Sequence, residues 1–214
     1  MMLLSSVNVG LPREVLWEGQ PVKTGIFKQP VNGPVRVRAE HLDGDGQADL
    51  RVHGGPDKSV YAYALEHYDY WRDIVPAAQL TTAAFGENLT TIGLLETQVR
   101  IGDVFRIGTA VLMAVQPRMP CYKLGIRLDD ARMVKQFVRA RRSGIYFRVL
   151  EQGTLQAGDA ITLLEPAAHA VTVQQVVDNF WLPDKDAAQV QAILAVPVLP
   201  AFWQRAFREI QAAL

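Results

Sequence analysis

Apolar and polar positions alternate in short runs from residue 5 to about residue 42, as in Val35-Arg36-Val37-Arg38, with Gly and Pro between the runs. A period of two puts successive side chains on opposite faces of an extended chain, so this opening predicts short, half-buried strands. Two turn-rich stretches follow, Asp43-Gly44-Asp45-Gly46 and His53-Gly54-Gly55-Pro56-Asp57. So much glycine in so short a span exceeds what a simple connection needs. Residues 60–63 read as a strand and 65–75 as an aromatic-rich helix, with Leu65, Tyr68 and Trp71 on one face and Pro76 as its stop.

Beyond the loop Phe85-Gly86-Glu87-Asn88, strands are predicted around Val99 and over 104–107, 110–115 and 145–150, with Gly102-Asp103 and Gly108-Thr109 turns. Short strands with glycine corners close more easily than they lie flat, which favours a barrel or strongly curved sheet. One helix is predicted over 129–142, with Met133, Val134, Phe137 and Val138 on its apolar face and Asp129-Asp130 at its start. After residues 165–168 the period shifts from two to about 3.6. Three helices are expected there: one capped by Thr172 and running to about 181, one from Asp184 to about 195, and one carrying the stripe Leu199, Phe202, Trp203, Ala206, Phe207, Ile210 and Leu214. The predicted fold is mainly β with helices: a barrel domain over 1–165 and a small three-helix C-terminal domain over 166–214.

Composition narrows the function. The chain has 214 residues, 49% of them hydrophobic, and its 22 Lys+Arg cancel its 22 Asp+Glu. That is globular composition without the excess positive charge a general nucleic-acid binder uses. The uncharged run 187–204 contains Pro197 and Pro200, so no membrane span is expected, and the first ten residues lack a charged, cleavable signal pattern, so a cytoplasmic location is expected. A single cysteine, Cys121, excludes an internal disulfide and a four-cysteine zinc or iron–sulfur site within one chain. Any redox role must therefore borrow a cofactor.

Cys121 lies in Gln116-Pro117-Arg118-Met119-Pro120-Cys121-Tyr122-Lys123. Nearby cations favour the thiolate that a metal or an electrophile requires, although an inert buried cysteine fits the local sequence too. In Arg51-Val52-His53-Gly54-Gly55-Pro56-Asp57-Lys58, glycine backbone and cations suit a phosphate, or simply a tight turn with solvated charges. Glu87 and Asn88 can orient a substrate or form a surface turn. Arg139, Arg141 and Arg142 close a helix, where cations are favourable without any ligand. The Asp43–Gly46 turn lacks the spacing and closing glutamate of a calcium loop. The histidines have no metal-ligand spacing, and there is no Walker A sequence, dinucleotide glycine fingerprint or Gly-x-Ser-x-Gly elbow.

Taken in order, Asp43-Gly44-Asp45, Val52-His53-Gly54-Gly55-Pro56-Asp57-Lys58, His67-Tyr68-x-Tyr70-Trp71, Phe85-Gly86-Glu87-Asn88-Leu89, Gly102-Asp103 and Gln116-Pro117-Arg118-x-Pro120-Cys121-Tyr122-Lys123 resemble the MOSC family, most closely its bacterial YiiM-type members. The resemblance implies a β-barrel that binds the molybdenum cofactor, molybdopterin, with the family's cysteine, here Cys121, as metal ligand. It implies reduction of N-hydroxylated compounds, including hydroxylaminopurine bases, with electrons from a separate flavin-containing reductase. On that basis His53 and Glu87 are the expected proton donors or positioning groups, with Asn88 beside them. Arg51, Lys58, Arg118 and Lys123, with the backbone at Gly54 and Gly55, are expected to hold the cofactor's phosphate. Two alternatives use the same cysteine: a non-catalytic carrier of the cofactor or of sulfur, and a thiol hydrolase pairing Cys121 with His53 or His41. Neither a nucleic-acid polymer nor a membrane is an expected partner; a homodimer is, from base rates.

Overall fold

The computed structural model describes residues 1–49 and 54–214. Seven strands close a barrel: β1 (Met2–Val9), β6 (Val60–Ala64), β7 (Leu89–Ile92), β8 (Val104–Ile107), β9 (Ala110–Pro117), β10 (Ile145–Glu151) and β12 (Ala160–Glu165). They neighbour one another in the order β12-β8-β9-β10-β6-β7-β1, and β1 returns to β12 through Met2 opposite Ile161. Only β6 and β7 run parallel within this ring. Outside it, β4 (Gln29–Val31) extends β1, β2 (Arg13–Trp17) and β3 (Gln20–Thr24) form a hairpin, and β5 (Val35–Val37) pairs with β11 (Gly153–Leu155).

Helix α1 (Glu66–Trp71) follows β6, α2 (Lys123–Leu128) and α3 (Met133–Ala140) lie between β9 and β10, and α4 (Val173–Trp181), α5 (Ala187–Leu194) and α6 (Ala201–Ala212) follow the barrel. The helix expected over 65–75 is shorter, and Leu65 is half exposed while Tyr68 and Trp71 are buried. The helix expected over 129–142 is two helices. Asp129 adopts the left-handed conformation at the end of α2, and Asp130 accepts from the Arg132 backbone N–H at 2.8 Å. Short acidic side chains tolerate that conformation and bond locally, so they break the helix they were expected to start. Val99 is buried just after a turn rather than in a strand, and its carbonyl accepts from Val173 at the start of α4. The expected Thr172 cap is present with its full capping box to Gln175. The second helix is capped by Asp186, not Asp184.

One buried cluster contains Leu4, Phe105 and Phe147 from barrel strands together with Val176, Ile193, Trp203 and Phe207 from α4–α6. Full burial of each such side chain contributes about 1.5–3 kcal/mol, so the last three helices share the barrel's main source of stability. A second cluster, rich in aromatics, joins α1, α2 and α3 to the outside of β6 through Tyr63, Tyr68, Trp71, Phe85 and Phe137. Among the described residues no helix is long and apolar enough to cross a membrane.

Candidate functional site

A cleft opens between the segment 24–28, the turn 45–48, the ends of β6 and β9, and the start of α2. Two backbone segments cross tightly at its edge: a Cβ on Gly25 would collide with the carbonyl oxygen of Gly46, so only glycine permits this approach. The crossing carries Lys28 and Asp45 into the interior, where both are buried and form an ion pair. Burial pushes the Lys28 pKa below the ordinary lysine value, while Asp45 pulls it back up. Asp45 also accepts from Gly10 N–H at 3.0 Å and from Asn88 Nδ2 at 2.9 Å.

Asn88 lines the cleft and ties its parts together. Its Oδ1 accepts from the Tyr61 backbone N–H at 3.1 Å, and its own N–H donates to the Tyr61 carbonyl at 2.8 Å. Arg118, also buried, donates to the Phe85 carbonyl and lies 4.8 Å above the Tyr61 ring. The Tyr146 ring lies 5.0 Å from that of Tyr61, tilted by 37°, and burial raises the pKa of both phenols. Cys121 is half-buried and lines the cleft with Lys58 and Lys123. Burial lowers the Lys58 pKa, opposed by Asp57 and by Cys121 itself. The described lining residues thus include four cations, Lys28, Lys58, Arg118 and Lys123, against one carboxylate, Asp45. The space among them, about 90 Å3, matches a phosphate-sized group, and a soft sulfur donor stands at the same cleft. These donors fit an anionic, metal-bearing cofactor.

Of the residues singled out from sequence, the cleft brings together Cys121, Lys58, Arg118, Lys123 and Asn88. Gly54 and Gly55 line an adjoining groove that shares Cys121 and Lys58 with the cleft. Gly55 has φ +91° immediately before the turn Pro56–Lys58, a backbone angle that requires glycine. Arg51 and His53 lie outside the described residues. Glu87 is fully buried but does not line the cleft: its carboxyl accepts from Tyr68, from Thr90 Oγ1 at 3.1 Å and from Phe85 N–H at 3.1 Å. Burial raises its pKa, with those hydrogen bonds opposing. His41 is exposed and lines neither cavity. Arg141 and Arg142 sit in a separate cavity beside α1 and α4. Sequence reasoning missed Lys28, Tyr61 and Tyr146, and read Asp45 as a turn residue and a motif position without a role of its own. An isolated lysine between two short strands carries no local signal, and tyrosines in a strand look like core.

A MOSC domain model matches residues 49–162. The chain is 36% identical to YiiM of Escherichia coli (strain K12) across 90% of its own length and 85% of that protein. It is 38% identical to a protein named reductase from Gibberella moniliformis over 74% of its length, which is 29% of that longer protein. The crystal structure of YiiM from Geobacillus stearothermophilus superposes with a TM-score of 0.79 and 32% identity, covering 99% of this chain and all of that one. The chain therefore belongs to the MOSC domain family and is YiiM-like within it.

Proposed function

We propose that this MOSC protein binds the molybdenum cofactor and reduces N-hydroxylated compounds to amines. The observation that carries this reading is the pairing of one thiol with an excess of cations: Cys121 shares its cleft with buried Lys28 and Arg118 and with partly buried Lys58 and Lys123. The name of the fungal relative supports reductive chemistry, and the MOSC match supports the cofactor.

When bound, the cofactor supplies a two-electron metal centre able to take up an oxygen atom. Cys121 Sγ is the protein's ligand to it, with Lys58 and Arg118 lining the same cleft. Lys28, Arg118 and Lys123 hold the phosphate, with Asn88 keeping Asp45, and through it Lys28, in place. The overall change consumes two electrons and two protons: the N–O bond breaks, the amine forms and the oxygen leaves as water. A separate flavin-containing reductase supplies the electrons. Lys58 lines both the cleft and the adjoining groove, and burial lowers its pKa. It therefore gives up a proton more readily than an ordinary lysine, and of the described proton-bearing groups it is the best placed to supply one.

The test is molybdenum per chain in protein from a cofactor-competent host, beside Cys121→Ala prepared identically, followed by turnover of N-hydroxylated compounds with an artificial reductant. Near-stoichiometric metal and turnover in the parent, both lost in the variant, are expected. Metal and activity retained in Cys121→Ala sink the proposal. Stoichiometric cofactor without turnover identifies a carrier instead.

A further inference from the structure

Cys121, Lys58 and Tyr146 each line two cavities. The cleft is rich in cations. The second cavity, a groove of about 480 Å3, has largely apolar walls that include Gly55, Pro56, Met119, Pro120, Pro200 and Phe202. Its carboxylate, Asp57, is bound by Arg148, whose Nε donates at 2.8 Å. An anion is therefore drawn to the cleft, and the groove favours a neutral, apolar occupant of ordinary small-molecule size.

The groove walls come from distant parts of the chain and are held together by one network. Trp203, buried on α6, donates its indole N–H to Gln116 Oε1 at 2.8 Å, and Gln116 Nε2 donates to the Asp57 carbonyl at 2.7 Å. This fixes the start of α6 against both the strand leading to Cys121 and the turn carrying Lys58. Phe202 is the exception to this buried arrangement: it is 46% exposed, edge-on to Trp203 with centroids 5.4 Å apart. A large aromatic left half exposed in a preformed groove beside a thiol gains by stacking on a ligand.

We infer that this groove receives the ring portion of the substrate, a flat, unsaturated and largely uncharged ring, and that Phe202 is a specificity-determining residue that stacks on it. The inference rests on the proposed function, because it takes the reacting N–OH group to lie at Cys121. It also makes α6 part of the site as well as part of the core.

The experiment compares the cofactor-loaded parent with Phe202→Ala and Phe202→Leu. N-phenylhydroxylamine serves as the ring probe and N-methylhydroxylamine as the ringless probe. For the ring probe, Phe202→Ala raises KM by about three- to tenfold, the range of an aromatic stacking contact, and leaves kcat little changed. Phe202→Leu falls between the two, while the ringless probe and the molybdenum content do not respond. Equal changes for both probes, or none, overturn the assignment. Loss of molybdenum in Phe202→Ala also overturns it, since the cofactor would then occupy the groove. If the parent reduces neither probe, the proposed function fails and the groove is judged by saturation-transfer NMR of aniline with cofactor-free protein. Ring contact in the parent that is lost in Phe202→Ala supports the groove, and no contact in the parent overturns it.

Discussion

The Cys121 cleft and the cavity between α1, α3 and α4 are both lined by arginine or lysine together with carboxylates, yet they are built differently. The second cavity, about 490 Å3, contains Glu66, His67, Glu96, Arg141, Arg142 and Asp178. Most of its charged groups have a partner within the protein. Arg141 bonds Asp178 at 2.8 Å, His67 Nε2 meets Glu96 at 2.6 Å, and Arg142 lies 4.3 Å over the Tyr70 ring. The buried Glu96 also accepts from Gly144 N–H at 2.6 Å, and Glu66 accepts from Gly93 N–H at 2.6 Å. In the cleft, four cations face one carboxylate around a thiol. The balanced cavity is the larger one, about 490 Å3 against about 90 Å3, so it is not size that marks the cleft but its imbalance of charge and its soft nucleophile.

The comparison breaks first at the thiol. Cys121→Ser is expected to lower molybdenum content and N-hydroxylamine reduction by about 100-fold or more, since loss of a ligand exceeds the 10–100-fold cost of losing a supporting contact. Metal analysis beside turnover checks this. The converse change, Glu96→Ala, is expected to cost about 2–5 kcal/mol of stability in urea unfolding. It strands the buried Gly144 N–H and the His67 ring, while phosphate binding at the cleft is unaffected. A loss of phosphate binding equal to that of a cleft variant would erase the distinction.

A finer test uses pH. Burial lowers the Lys28 pKa, so its charge is complete below that lowered value and disappears as pH rises through it, earlier than for an ordinary lysine. Phosphate affinity, measured by calorimetry, is therefore expected to fall on the alkaline side, and Lys28→Arg should flatten that fall. Glu87 carries the opposite consequence for folding. Its carboxyl pKa is raised by burial, so its contribution is complete below about 4.5, the unfolded carboxyl value, and is lost as pH rises toward the folded value. Glu87→Gln is expected to remove that decline from the stability profile. The smallest effect belongs to Arg141→Ala. Its ion pair is about two-fifths exposed on the arginine side, so at most about 1 kcal/mol is expected, with no change at the cleft.

Much of this division was legible along the chain, and the exceptions share a cause. Cys121 between prolines and cations, the glycine-rich turn at Gly54-Gly55, the capping box at Thr172 and the strands at 104–107 and 110–115 are local patterns, and local patterns survive folding. The Glu87-Asn88 pair shows the boundary. Both residues lie in one loop, but Asn88 faces the cleft, while Glu87 turns inward to Tyr68 and Thr90. Adjacent positions in an extended segment point to opposite sides, and which side is solvent depends on what packs there.

The sequence by itself determined the chemical inventory: one thiol, no internal disulfide, no dinucleotide motif, a balance of charge, and strand and helix periodicities that lead to a barrel followed by helices. Only the tertiary structure decided that Lys28 and Asp45 are buried beside Asn88, that Tyr61 and Tyr146 flank Arg118, and that Phe202 stands near Cys121. These contacts join segments far apart in the chain. Burial, and with it the pKa of Lys28 or Glu87, belongs to the crossing of chains rather than to any residue, so no local pattern encodes it.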